Sequence, residues 1–427
     1  MLKIFESVPE FSRPADEPPY DCNDGAFMKL YRSVSLEEYK AYTGELKAAG
    51  FTLFDENRIK DNYYSGFKGN GFLLHTDYSS ADGCMHVIAD PNTNLYEKEE
   101  PAFDKTADTV LYQFEIDHSL IDCGMCYIIQ CADNSFFIVD SAHVCSVPDN
   151  QRIYDFLRKL TPEGKKIIIS GWFFSHGHVD HIGKFMDFLK YNYNDDVVIE
   201  KLYYNFVSCS HPDNGEWMIS DKIFQLQFEE LVKNYPEIPG IKLHSGQTFW
   251  VRNLKFDVLC THEDIYPDDL INYNDSSTVL MMTACGNKVL FPGDAGEKES
   301  RLLETCYGDY LKCDIVQVSH HGHFGATVEF YELARADVAL FATTQIMYDG
   351  DWPVYAANRK AVELSREHYI ASNGTVKIKL PYKPGATEVF PDETFEDFDA
   401  IYNLWGYEYT EERKKELREA FEKRRKK

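Results

Sequence analysis

The chain has 427 residues, of which 44% are hydrophobic and 15% aromatic, enough to bury one large core or two smaller ones. Its 70 acidic residues against 44 basic ones leave a net charge of −26, which works against non-specific binding to nucleic acid or to an anionic membrane surface. No apolar run approaches the roughly 18–20 residues a membrane helix needs, and the N-terminal "MLKIFESVPEFSRPADEPP" lacks the apolar centre of a signal peptide. The expectation is a cytoplasmic protein that acts on a small molecule.

Residues 1–89 carry one clear helix signal, "SVSLEEYKAYTGELKAAGF", in which Ser35 can cap, Glu37 and Glu38 suit the first turn, and Gly50 closes the end. Strand-like pieces such as "GFLLHTDY" and "CMHVIAD" follow, so this stretch reads as a small α+β unit, expected to wall the substrate pocket or to form a homodimer surface. Residues 90–109 are rich in Pro, Asn and charge without an apolar period, and are expected to be a linker. From Val110 short apolar strands ("VLYQFEI", "SFFIVD", "KKIIIS", "STVLMM", "DIVQV") alternate with helical patterns, which predicts an α/β (α+β) domain over 110–390 with sheets covered by helices.

Residues 391–427 are expected to be a C-terminal helical extension. Its last 17 residues hold 9 basic side chains against 5 glutamates and read as a solvated helix docked on the acidic body. The 11 cysteines are odd in number and scattered, which fits reduced thiols. Cys123 and Cys126 form a CxxC, but no second pair completes a zinc site and the flanking residues read as a buried strand.

The densest chemical signal is "GWFFSHGHVDHIGKF", residues 171–185, which places His176, His178, Asp180 and His181 within six positions. The apolar strand before it and a helix expected to start near Gly183 put the cluster on a strand-to-helix loop. On an extended segment, residues i and i+2 can aim two imidazoles at one point while Asp180 and His181 face a second. Such ligands suit zinc, and also manganese or iron, and a bound divalent cation brings the pKa of water down towards neutrality. Without a metal, four such groups would be mutually repelling and poorly solvated.

"SHGHVDHIG" resembles the HxHxDH signature of the metallo-β-lactamase superfamily, and three further segments follow that family's order. "FFIVDSA" is similar to its first motif and ends in Asp140, a supporting residue, with Ser141-Ala142 where Gly-Gly is usual. "NKVLFPGDAG" resembles the motif that supplies a bridging carboxylate, here Asp294. "CDIVQVSHHGHFGA" resembles the last, which assigns His320 as a ligand of the second metal. The resemblance implies an αββα sandwich with a dinuclear metal site.

One motif departs from the family. Where most members have a third histidine for the first metal, this chain reads "THEDIYPDDLINYNDSSTVL"; His262 and His211 are the candidates to replace it, if any residue does. "NDSS" together with "HHG" is similar to the subgroup that holds the hydrolase domain of bacterial competence membrane proteins and the teichoic-acid phosphorylcholine esterases.

The expected mechanism has His176 and His178 on one metal and Asp180, His181 and His320 on the other, with Asp294 bridging and a shared hydroxide as nucleophile. Asp180 orients the nucleophile or passes a proton; His321, His323 and Asn274 are expected to support the ligands or touch substrate. The resulting expectation is a metal-dependent hydrolase with two divalent ions, zinc first, acting on a phosphodiester. A lactone, thioester or other carboxylic ester is the alternative bond. Iron-dependent redox chemistry and a non-catalytic metal-binding role are the alternative classes. Residues 208–220 are a candidate lid.

Overall fold

Four consecutive residues, Phe136–Val139, show how the chain is layered. All are buried, and they alternate: Phe137 and Val139 join one apolar cluster while Phe136 and Ile138 join another, as the period-two geometry of a strand requires. A strand that is apolar on both faces has to be covered on both. In the computed structural model, which describes residues 3–16, 19–211, 219–270, 272–350 and 355–390 with positions 410–412, 415, 416 and 419, one cover is a second sheet and the other a layer of helices. Most of the expected C-terminal extension and residues 212–218 of the candidate lid lie outside the described residues.

The sheet containing Phe136–Val139 runs in spatial order Gly240–Lys242, Leu202–Tyr204, Ile167–Phe173, Phe136–Val139, Tyr127–Gln130, Thr109–Gln113, Thr375–Leu380 and Glu388–Phe390, with Val197–Ile199 paired beside Ile167–Phe173. The facing sheet runs Thr248–Val251, Leu254–Cys260, Val279–Ala284, Asn287–Phe291, Ile315–Gln317, Val338–Phe341 and Glu367–Ile370. Tyr127, Phe137, Phe173, Phe256, Met282 and Phe291 fill the space between them.

Helices Asp149–Leu160, Val179–Tyr191 and Ile219–Val232 cover the outer face of the first sheet through side chains such as Leu157, Phe185 and Phe228. Glu297–Tyr307, Val328–Ala334 and Ala356–Leu364 cover the second through Leu303, Phe330 and Ala361. The expected αββα sandwich is therefore the arrangement found. Among the described residues no helix is long and apolar enough to cross a membrane.

The chain before the sandwich forms a separate antiparallel sheet, in the order Tyr20–Asp21, Phe27–Tyr31, Cys84–Asp90, Phe72–Ser79, Asn62–Gly69 and Thr52–Ile59. Helix Leu36–Ala48 packs on it. Its N-terminus is closed by a capping box: the Glu38 N–H donates to Ser35 Oγ at 3.2 Å and the Ser35 N–H to Glu38 Oε2 at 2.7 Å. Between Asp90 and Thr109, where a linker is expected, the chain runs as a strap on the sandwich. The Asn92 and Asn94 amides donate to the Gly240 carbonyl at 3.0 and 2.9 Å, and Tyr96 is buried.

The sheet and the sandwich share a buried ion cluster. His244 Nδ1 lies 2.9 Å from Glu263 Oε2 and its Nε2 3.1 Å from Asp90 Oδ2. Burial pulls the His244 imidazole down, but the two carboxylates overturn that and hold it at about 9. Because this value lies above the ordinary 6.5, the stabilisation is fully present below about pH 6.5 and is lost as pH rises through about 9. His244→Gln, which leaves two buried carboxylates without their cation, should lower stability by about 3–5 kcal/mol. It should also make the alkaline fall in the urea midpoint shallower without abolishing it, since the His86–Asp77 pair, with His86 also raised to about 9, remains.

Candidate metal centre

Strand Ile167–Phe173 ends just before the histidine cluster, and the following helix starts at Val179, with His178 extended (φ −66°, ψ 149°) at its N-cap position. This is a correction to the expected start near Gly183: Asp180 and His181 stand in the first turn, where a carboxylate is favoured by the helix dipole. Gly183 has a different task. A Cβ there would lie 2.7 Å from the Val144 backbone nitrogen, so glycine lets the helix close on the loop after Asp140. Ser141 ties the two together: its hydroxyl donates to the His181 carbonyl at 2.8 Å and accepts from the Phe185 N–H at 2.9 Å.

Loops from both sheets converge here. Asp140, the 175–181 segment, Asp294 and His320–His321 all follow the C-terminal ends of strands, the edge at which open α/β sheets present their ligand sites. Two groups of side chains bring their ligand atoms within 4.8 Å of one another: Asp180, His181, Asp294 and His321 in one, His176, His178 and Asp294 in the other. Asp294 belongs to both. It sits on a turn where Gly293 has φ +60° and a Cβ would lie 2.9 Å from Ser175 Cβ and 3.0 Å from Ser277 Oγ.

The last histidine of the group differs from the one expected. His320 Nε2 lies 3.0 Å from the Asn274 Nδ2 and its Nδ1 3.2 Å from the Phe324 carbonyl, so both ring nitrogens are already engaged. His321 Nδ1 lies 2.9 Å from the Ala342 carbonyl, which makes that nitrogen the donor and turns Nε2 inward, 3.0 Å from Asp180 Oδ2 and 3.3 Å from Asp294 Oδ2. Two adjacent histidines cannot be told apart by spacing; the consecutive left-handed conformations of His320 (φ 51°) and His321 (φ 57°) decide which one turns inward.

Buried hydrogen bonds orient the remaining imidazoles. Asp140, fully buried, accepts from the Ser175 N–H at 2.8 Å, the Ser175 hydroxyl at 2.9 Å and His181 Nδ1 at 2.8 Å. His181 Nε2 is thereby aimed at Asp294 Oδ2, 3.2 Å away. His176 Nδ1 lies 3.0 Å from the Ser175 hydroxyl, and its Nε2 faces His178 Nδ1 at 2.9 Å. The Ser277 hydroxyl accepts from the Asp294 N–H at 3.0 Å. Ser175 escaped the sequence reading and Ser277 entered it only as part of "NDSS", because a serine carries no spacing signal of its own.

The donor set fits divalent cations. Imidazole nitrogens and carboxylate oxygens converge while buried, and Asp294 Oδ1 has no hydrogen-bond partner. Burial depresses the His321 imidazole, yet Asp294 and Asp180 overturn this and raise it to about 10; His181 is raised well above its ordinary value by Asp294, Asp180 and Asp140 in the same way. Burial pushes the Asp294 carboxyl up, and His321 and His181 more than reverse it. His176 differs: burial and the neighbouring His181 and His178 hold it well below its ordinary value.

The other candidates lie elsewhere. His262 Nε2 is 3.1 Å from Asn205 Oδ1, and the His211 ring packs at a tilt 4.4 Å from the Tyr266 ring; neither belongs to a metal-binding group among the described residues. His323 packs 4.1 Å from the Phe324 ring. Cys123 and Cys126 are buried and also lie outside both groups. A cavity of about 480 Å³ lies between the N-terminal sheet and helix Glu297–Tyr307, lined by Tyr64, Asp77, His86 and Cys306, and contains none of the ligand residues.

No family model matches the chain. It is 27% identical over 238 residues to ComE operon protein 3 of Bacillus subtilis, covering 54% of this chain and 27% of that protein. It is 29% identical over 164 residues to Recombination protein 2 of Haemophilus influenzae, covering 37% and 19%. The chain thus spans less than a third of either relative's length. Among solved structures it is similar to the metallo-β-lactamase fold protein YhfI from Bacillus subtilis (13% identity, 62% of this chain and 97% of that one, TM-score 0.37). It is also similar to a long form RNase Z from yeast (7% identity, 69% and 51%, TM-score 0.40). At these TM-scores the superpositions are loose and add nothing to the site's own geometry.

Zinc loading of the metal-free protein should release protons at pH 7, and apparent affinity should fall progressively as pH drops below about 10, because protons on His321 and His181 compete with the metal. Calorimetric titration in buffers of different ionisation heat measures both effects. His321→Ala should lower zinc content, whereas His320→Ala should leave it near the wild-type level; elemental analysis of the two purified proteins decides between the neighbours. The order of the histidine- and aspartate-bearing segments, the layering of the two sheets and their meeting at one edge give this chain an αββα sandwich with a buried His/Asp cluster that could hold metal at its edge.

Proposed function

We propose that the protein is a hydrolase dependent on two divalent ions, zinc first, and that its substrate is a small phosphodiester. The observation that carries this reading is the pair of groups that could hold metal and share the buried Asp294. His176, His178 and Asp294 would hold one ion, and Asp180, His181, His321 and Asp294 the other. Ions bound there supply Lewis acidity, neutralise developing negative charge and ionise water near neutral pH.

The chain's own residues do the positioning. Asp140 and Ser175 fix His181 and His176 in the ring orientation that turns Nε2 to the ligand side. Asp180, 8% exposed, is the carboxylate placed to orient the nucleophile or to return a proton to the leaving group. Asn274, with its Nδ2 on His320, holds that ring away from the ligand group. The net charge of −26 favours a small substrate over a long polyanion. Support for a phosphodiester over a carboxylic ester comes from the "NDSS" and "HHG" segments, 274–277 and 320–322, whose likeness is to esterases of that class.

Metal analysis combined with turnover of bis-p-nitrophenyl phosphate, a p-nitrophenyl carboxylic ester and a simple lactone, before and after chelation, tests the reading. Chelator-sensitive cleavage of the diester with about two equivalents of zinc is the expected result, and Asp180→Asn should lower that turnover by about 100-fold or more. Cleavage of the ester or lactone alone would replace the phosphodiester with a carboxylic ester. Bound iron without hydrolysis would replace the hydrolase.

A further inference from the structure

The group formed by His176, His178 and Asp294 has three ligand residues, and the turn in which a further histidine is expected reads Asn274-Asp275-Ser276-Ser277. His262 and His211 are engaged elsewhere. We infer that Asp221 is the carboxylate that orients His178 and completes the support of the ion held by this group, an inference that rests on the two-ion reading above.

Three observations point to it. His178 Nδ1 faces His176 Nε2 at 2.9 Å, so this nitrogen is on the ligand side of the ring. The other nitrogen, Nε2, lies 3.6 Å from Asp221 Oδ2, just outside hydrogen-bond reach, so that a small side-chain adjustment on metal binding brings its N–H onto the carboxylate. An imidazole that ligates through one nitrogen characteristically gives the other N–H to a carboxylate, which fixes its tautomer and raises its basicity as a ligand. The Tyr273 ring, 4.8 Å from the His178 ring, limits the orientations left to it.

The approach of Asp221 is built into the packing. Asp221 is 8% exposed, in the first turn of helix Ile219–Val232. One turn further on, the Gln225 amide donates to the Val207 carbonyl at 2.9 Å and to Glu229 Oε1 at 2.8 Å, which fixes the helix. A Cβ on Gly177, between the two histidines, would lie 2.3 Å from the Tyr273 hydroxyl and 2.8 Å from Gln225 Oε1. Glycine is therefore what allows the helix to come down on the His176–His178 loop, and with it the carboxylate that meets His178. Asp221 acts through His178 and is a positioning residue.

The test measures zinc affinity of the full chain by competition with a chromophoric chelator, for wild type, D221A and D221N, with far-UV circular dichroism and thermal melting as checks on folding. The expected result is that D221A weakens one of the two zinc equivalents by about 10–100-fold and leaves the other unchanged. D221N, whose amide oxygen can still accept the imidazole N–H, should recover most of the loss. Wild-type affinity at both equivalents in folded D221A overturns the inference, as does equal weakening of both in D221A and D221N, which marks a structural role. If wild type takes up a single ion, the two-ion reading falls, and Asp221 falls with it when D221A holds that ion at wild-type affinity.

Discussion

The centre depends on one buried carboxylate that does not belong to either ligand group. Asp140 ends a core strand, is fully buried, and accepts hydrogen bonds from the Ser175 backbone, the Ser175 hydroxyl and His181. Burial pushes its carboxyl up, and these partners only partly offset that. An unpaired charge in such surroundings would be severely destabilising, so strand end, loop and imidazole are held as a unit. His181 takes its position from this junction directly, and His176 through the Ser175 hydroxyl.

The residues of the two groups that could hold metal come from both sheets, so the cluster exists only when the sandwich is closed. Asp180 and His181 are fixed by a helix on the outside of the first sheet, Asp294 and His321 by turns at the end of the second. Phe137, Phe256, Met282 and Phe291 hold the sheets in register between them. The N-terminal sheet contributes no ligand among the described residues. It clamps the far side through Tyr64–Tyr307, Asn62 and the buried Asp90–His244–Glu263 cluster.

Electrostatics explains why the cluster tolerates its own burial. Within the group of Asp180, His181, Asp294 and His321, carboxylates and imidazoles alternate in space and reverse the effect of burial on one another: Asp294 and Asp180 hold their charge, and His181 and His321 keep their protons. Divalent cations can take over the neutralising task of those protons, which is what makes the arrangement suited to metal and not simply a polar core.

Much of the site was legible in the chain because its ligands are clustered in sequence or follow apolar strands. The six-residue spacing from His176 to His181, the Asp ending "FFIV" and the Asp after "VLFPG" are local patterns that a strand-to-loop transition makes meaningful. The sandwich was legible for the same reason, since alternation at period two and helical stretches between strands leave few ways to cover both faces. The choice of His321 over His320, the start of the helix at Val179, the hydroxyls of Ser175 and Ser277, and Asp221 at His178 were decided only by the tertiary structure. Each depends on a backbone conformation or on a contact between segments distant in sequence, and periodicity and spacing carry no information about either.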